Sequence, residues 1–358
     1  MYKFIILILV VWRLFLNIVS LLARNIIPQR MGFLGPSVWA NFDGVHYLSI
    51  AKRSYVQYEQ AFFPLYPWLI KRLSLLLDNN LLLSSFLISY LSFFISLVLF
   101  FKLVELDFNK KVAKRTLLFL LMFPTSFFFI SVYTESLFLA LILGSFYAAR
   151  KKKWWLAGIL GGLASATKLT GIILLLALII EWMEQSKKKR LIKKLSWFIL
   201  IPSGLLFYMF YLWKSVKDPL FFFHAQPAFG ANRSGGKLIL FYQVIWRYIK
   251  IFFTVPIQNY DFWIAVLEFI VTILFLYLAI ISYFKVRKSY GLFSILIIIL
   301  PTLTGTFSSM PRYVLPAFSI FILLGSLKLG KISYLIYGFF VIFLALLTGL
   351  FVQGWWVA

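Results

Sequence analysis

The sequence predicts an all-α polytopic membrane protein with about eleven transmembrane helices. Three observations predict it. Of 358 residues, 62% are hydrophobic and 20% aromatic, more apolar surface than a water-soluble domain can hide. Apolar runs close to the ~20 residues needed to cross hydrocarbon recur from end to end. The runs are continuous rather than alternating, so helices, and not a closed barrel, satisfy the backbone inside the bilayer.

The first run, FIILILVVWRLFLNIVSLL, carries Arg13 in its middle and has no small-residue cleavage site, so it reads as a span over 4–22 and not as a signal peptide. A long loop, 23–80, follows. Within it, FDGVHYLSIAKRSY reads as an amphipathic helix. FFPLYPWLIKRLSLLL (62–77), broken by Pro64 and Pro67, reads as an interfacial or re-entrant helix. The remaining spans are expected at 81–101, 116–132, 135–149, 154–167, 170–183, 195–213, 261–284, 291–307, 314–327 and 332–352, with a second large loop at 214–260. No boundary inside the chain suggests a separate soluble domain, so one integral-membrane domain, 1–358, is expected.

Charge orients the set. The net charge is +25, and more than half of the 36 Lys and Arg residues lie on one side. They are Lys3 and the segments KLVELDFNKKVAKR, RKKK, EQSKKKRLIKK, KVRK and KLGK. Basic loops stay cytoplasmic. The N-terminus is therefore expected inside and the C-terminus outside, with both long loops and the SSMPRY turn on the outer face. Basic residues placed between spans speak for orientation and against nucleic-acid binding. The absence of cysteine excludes disulfides and thiolate metal sites. Any chemistry is thus expected on outward loops carried by a helical scaffold.

Asp43 lies at or just before a helix N-terminus. That place suits an N-cap, and equally a general base taking a proton from a hydroxyl. His46, one of only two histidines, either bonds a carboxylate or phosphate or is a satisfied interfacial side chain. AFFPLYPWLIKR reads as an aromatic interfacial anchor, or as a lipid-tail groove with Lys71 and Arg72 near an anionic head. Glu135 opens an outward helix, with Thr134 as candidate cap. GILGGLASATKLTG (158–171) reads as close helix packing through small residues, and its Lys168, flanked by Thr167 and Thr170, suits a phosphate. Arg312, in SSMPRYVLP, offers a guanidinium fork to a phosphate or snorkels to the interface, with Tyr313 beside it. Arg13 must pair or line a cavity. The acids at 105–107 fall in a charged cytoplasmic loop. SGGKL (234–238) fails as a phosphate-binding loop, since Leu238 replaces Ser or Thr. The outer loops hold no adjacent acidic pair, so no metal and no cofactor are expected.

NFDGVHYLSIAKRSY followed by AFFPLYPWLIKR resembles the first-loop signature of the PIG-V-type mannosyltransferases, integral-membrane enzymes of the GT-C superfamily. MFPTSFFFISVYTESLFLALILGSFYAARKKKWWLAGILGGLASATKLTGIILL resembles that family's second block, and SSMPRYVLPAF its third. The blocks fall in order from 41 to 316. Two positions depart: Phe42 where Trp is frequent, and Lys168 where Arg is frequent. The resemblance implies a GT-C-like bundle and an inverting glycosyltransferase. It implies a polyprenyl- or dolichyl-phosphate mannose donor, with Asp43 as catalytic base and the cations near the leaving phosphate. The acceptor would be an extracytoplasmic glycan or lipid. The short loops look prokaryotic, which points to a cell membrane. A different lipid-linked sugar (an aminopentose or glucose), a transporter or lipid flippase, and a non-catalytic scaffold subunit are the rival readings. No internal repeat supports the transporter.

Overall fold

A computed structural model describes residues 1–30, 34–185, 196–328 and 330–358. Most of the basic stretch expected on the cytoplasmic side at 184–194 lies outside the described residues. The described chain is helical, without strands. Its helices are α1 (Tyr2–Ile26), α2 (Asp43–Arg53), α3 (Leu65–Ser74), α4 (Leu81–Val104), α5 (Lys110–Met122), α6 (Glu135–Arg150), α7 (Trp154–Thr167) and α8 (Leu174–Gln185). They continue with α9 (Ser203–Val216), α10 (Phe221–His224), α11 (Phe241–Thr254), α12 (Tyr260–Lys285), α13 (Lys288–Thr302), α14 (Met310–Tyr313), α15 (Phe318–Ser326) and α16 (Ile332–Val352).

Among the described residues, five helical stretches are long and apolar enough to cross a membrane: α1, α4, Ser196–Val216, α12 and α16. The protein is therefore a multi-pass membrane protein. Other expected spans are shorter helices. The run expected at 116–132 is not continuous. α5 stops at Met122, Pro124 cannot donate to a helical ladder, and a 3-10 turn at Ser126–Phe129 replaces it. The run at 170–183 is likewise a 3-10 turn, Leu169–Ile173, leading into α8.

The chain folds as two compact units. The first comprises 1–54, 65–153 and 321–357. Its centre is the packing of α4 on α6, with α3 and α5 also against α4, and α1 against α16. Ser85, Ser89, Ser92 and Ser96 repeat at helical spacing along α4 and are buried. Small side chains let the backbones approach. Their hydroxyls are satisfied locally and across the contact: Ser89 Oγ donates to Ser131 O at 3.1 Å and Ser96 Oγ to Ser136 O at 3.3 Å.

The second unit comprises 55–64, 154–320 and residue 358. Here the glycines of α7 press against Ser196–Val216. A Cβ on Gly162 would stand 2.6 Å from Leu200 O, a distance real Cβ atoms do not adopt. Close packing through small residues is therefore the structural role of GILGGLASA. The aromatic segment 55–64 is anchored by Tyr208, whose hydroxyl donates to Gln60 O at 2.7 Å, and by Phe63, which packs tilted against Tyr208 and edge-on against Phe222.

A buried ion pair ties α8 to the start of α13. Glu181, fully buried, accepts Arg287 Nε and Nη2 at 2.7 and 2.8 Å and the Ser289 hydroxyl at 2.5 Å. Arg287 also reaches Glu184 Oε2 at 3.4 Å and is partly exposed, so its charge keeps a second partner. Glu181→Ala is expected to destabilise the folded protein by about 1.5–3 kcal/mol, the scale of hydrogen bonds to a charged group, read from thermal unfolding in detergent.

Candidate active site

In the first unit, the site is built at the start of α2. The helix begins at Asp43, and the residue before it, Phe42, has φ 55°. Positive φ in a phenylalanine costs about 1–3 kcal/mol and persists only where the surroundings hold it. The Phe42 ring is held against Phe351 and Trp356, with centroids at 5.9 and 5.2 Å. Asp43 occupies the first helical position, after Phe42 as the N-cap residue, whose side chain makes no cap bond.

α2 presents three faces. Gly44, Tyr47, Ile50 and Ala51 are buried. Val45, Leu48, Lys52 and Arg53 line a mostly apolar groove of about 500 Å³ with Leu81 and Leu82 of α4. Asp43 and His46, three residues apart and half-buried, lie between these faces and share a side of the helix.

The segment that leads into α6 is laced to the segment that leads into α2. Val132 N donates to Trp39 O at 2.9 Å, and the Tyr133 hydroxyl donates to Asn41 O at 2.9 Å. These two straps hold residues 132 and 133 against the segment that leads into α2, and Glu135, two residues on, is buried. Thr134 precedes α6, but its hydroxyl makes no cap bond. Tyr66 of α3 donates or accepts with Ser89 Oγ at 2.9 Å. Burial pushes its phenol well up; the Ser89 bond opposes this and the Glu135 charge adds to it. Tyr66 therefore stays protonated at any physiological pH.

Asn41 holds this corner together. Its amide donates to Phe351 O and accepts from Gly35 N, each at 3.0 Å, and the residue is buried. Asn41→Ala would leave the Gly35 amide without this partner, while Phe351 O keeps the Gly354 N–H at 3.0 Å. It is expected to cost about 1–3 kcal/mol of stability, measured by thermal unfolding, the scale of one orphaned group.

Lys71 and Arg72 lie on the surface. Both are exposed at the end of α3, and Arg72 stacks on Trp68 at 5.6 Å. Phe62, Phe63 and Tyr66, the aromatic head of that segment, are buried. Arg13 lies over the Trp39 ring at 4.9 Å and the Tyr90 ring at 5.5 Å, so its partners are aromatic faces. Asp107, in the dismissed acidic pair, is held by Arg150, with Nη2 to Oδ1 at 2.7 Å.

In the second unit, Lys168 and Arg312 come together. Lys168 follows α7 in extended backbone, half-buried. Its Nζ lies 5.7 Å from the Tyr313 ring centroid, and the Arg312 guanidinium lies 5.2 Å from the same ring. Two cations thus meet one aromatic ring, although 144 residues of sequence separate them. Such a pair can hold a phosphate, Lys as a point charge and Arg as a fork. Thr167 does not assist, since its hydroxyl bonds Leu163 O within α7.

Three residues of this unit escaped the sequence reading. Arg233 donates through Nη2 to Ser309 Oγ at 3.4 Å, just before α14. Glu268 and Tyr248 bond each other, Tyr248 Oη to Glu268 Oε2 at 2.5 Å. The signal for Glu268 was a carboxylate inside an otherwise apolar run, which marks function by default. Arg233 and Tyr248 gave no signal, because their roles depend on long-range contacts.

Two solved structures share the fold. ArnT from Cupriavidus metallidurans in the apo state aligns with a TM-score of 0.52 at 18% identity, over 94% of this chain and 61% of that one. ArnT from the same organism bound to undecaprenyl phosphate aligns at 0.53 and 16% identity, over 92% and 62%. The chain thus spans a little over three fifths of the length of ArnT. No curated protein matches the sequence. The family described as Mannosyltransferase (PIG-V) matches residues 31–213, the stretch that holds Asp43, His46, Glu135 and Lys168, and the chain belongs to that family.

Proposed function

We propose that the protein is an inverting glycosyltransferase of the GT-C type. It moves a hexose, with mannose the first candidate, from a polyprenyl-phosphate donor to a glycan or lipid acceptor on the outer face of a prokaryotic cell membrane. The observation that carries the reading is the meeting of Lys168 and Arg312 on the Tyr313 ring, in a chain of the PIG-V family. The solved ArnT complex with undecaprenyl phosphate supports the class of donor. The basic loops favour an orientation with the N-terminus in the cytoplasm, which supports chemistry on the outer face.

Asp43 takes the proton of the acceptor hydroxyl. The freed oxygen attacks the anomeric carbon, and the bond from that carbon to the phosphate oxygen breaks on the opposite face. Its electron pair leaves with the polyprenyl phosphate. That phosphate gains charge as the bond breaks, and fixed cations stabilise it more in the transition state than in the donor. Lys168 and Arg312, both against the Tyr313 ring, fill that role. His46 and Glu135 bind sugar hydroxyls, and Lys71 and Arg72 favour anionic headgroups at the interface. The step needs no nucleotide and no cofactor.

The test is a donor panel. Purified protein in lipid is incubated with radiolabelled polyprenyl-phosphate mannose, glucose or aminopentose and an extract of host lipids and glycans. Label moving from mannose donor to a new product is the expected result. Movement from another donor alone keeps the mechanism and changes the sugar. Vesicle transport without covalent transfer would replace the reading with that of a flippase.

A further inference from the structure

The turn before α14 is fixed by a network that the transfer step does not itself use. Glu268, buried in α12, accepts the Ser309 N–H through Oε1 at 3.2 Å and the Tyr248 hydroxyl through Oε2 at 2.5 Å. The same Tyr248 oxygen accepts the Phe307 N–H at 3.1 Å and contacts Thr306 Oγ1 at 3.2 Å. Thr306 Oγ1 accepts the Ser308 N–H at 3.1 Å. Three successive amides, 307 to 309, are therefore held by side chains.

Ser309, at φ 69°, then redirects the chain into α14, and its carbonyl accepts the Arg312 N–H at 3.0 Å. Arg247 fastens the start of the turn through Gly305 O at 2.9 Å, and Arg233 reaches Ser309 Oγ at 3.4 Å. Tyr248 stays a donor, because burial and the Glu268 charge push its phenol up.

A serine or a backbone carbonyl would satisfy one amide at lower cost. A carboxylate at membrane depth is expensive, and it is kept where a site needs it. We propose that Glu268 and Tyr248 are positioning residues: they fix the 307–309 turn so that Arg312 meets the phosphate of a polyprenyl-phosphate ligand. The proposal rests on the donor site proposed above, and it deepens that site with two residues that do not touch the ligand.

The test uses the full chain in lipid nanodiscs, with undecaprenyl phosphate as probe and Glu268→Leu, Glu268→Gln, Tyr248→Phe and Arg312→Lys as variants. Glu268→Leu is expected to weaken binding about tenfold or more, as the loss of an aligned charge-assisted contact does. Glu268→Gln keeps an acceptor oxygen for Ser309 and is expected to stay within about threefold of wild type. In the Arg312→Lys background, Glu268→Leu should add less than about threefold, because residues acting as one unit are not additive. Amide exchange over 305–313 should quicken in Glu268→Leu and in Tyr248→Phe, with α7 unchanged.

Additive losses, equal effects of Leu and Gln, unchanged exchange in this segment, or a wild type that does not bind the probe would each overturn the proposal. Failure of sugar transfer with coupled probe binding would instead remove the transferase reading and leave the positioning role standing.

Discussion

Asp43→Asn is expected to lower the rate of sugar transfer by about 10²–10⁴-fold, the range lost with a general base. The amide matches the carboxylate in size but cannot take a proton at neutral pH. Donor binding should change little, because the phosphate is assigned to cations in another part of the chain. The expected signature is therefore a fall in kcat with the donor KM within about threefold of wild type, the pattern of a lost transition-state interaction. Stability should hold as well. Asp43 stands in the first helical turn, where the helix dipole favours a carboxylate by about 0.3–1 kcal/mol. Asp43→Glu keeps the base but displaces it by a methylene, and should fall between the two. Steady-state transfer kinetics with thermal unfolding on the same preparations checks all of this.

Arg312→Ala is expected to lower kcat by about 10²–10³-fold, the scale of one lost electrostatic donor at a developing charge. The buried position of Arg312 makes a control necessary. Arg312→Lys keeps the charge and loses the planar fork, and should recover about tenfold of the loss. Lys168→Ala should cost less than Arg312→Ala, since a point charge is less well aligned than a fork. Lys168→Arg should be tolerated, because the neighbouring Tyr313 face accepts a guanidinium as readily as an ammonium. Losses of equal size from Arg312→Ala and Arg312→Lys, with both folded, would mean that geometry and not charge is what Arg312 supplies.

Much of the fold was legible because its signal is local. Runs at 154–167 and 332–352 appear as helices with those bounds, and the Pro-broken segment at 62–77 contains the short helix α3. Pro124 ended a helix that hydropathy alone continued to 132. Hydropathy measures partition into lipid and is indifferent to a missing N–H. The division into two compact units was not legible, since segment 55–64 packs through Tyr208 and Phe222, about 150 residues away.

The candidate site divides in the same way. Asp43 and His46 stand out as a carboxylate and an imidazole in an apolar chain, spacing leaves their roles open, and the matched family stretch contains them. The meeting of Lys168 and Arg312 required tertiary structure, as did the straps from Trp39 and Asn41 to Val132 and Tyr133. AFFPLYPWLIKR reads as an interfacial anchor or a lipid-tail groove with Lys71 and Arg72 near an anionic head. In the fold Phe62, Phe63 and Tyr66 are buried, while Trp68, Lys71 and Arg72 are exposed. Glu268 and Glu181 were passed over although each interrupts an apolar run. In both cases the compensating partners, Tyr248 and Arg287, come from a different part of the sequence.

The most direct measurement is a single turnover. Protein in lipid is loaded with polyprenyl phosphate carrying a radiolabelled hexose. Acceptor is added, and label in product is followed over time for wild type and Asp43→Asn in parallel. The account predicts conversion of bound donor to labelled product and free polyprenyl phosphate by wild type, and bound but unconverted donor in the variant. Conversion by Asp43→Asn at the wild-type rate would contradict it.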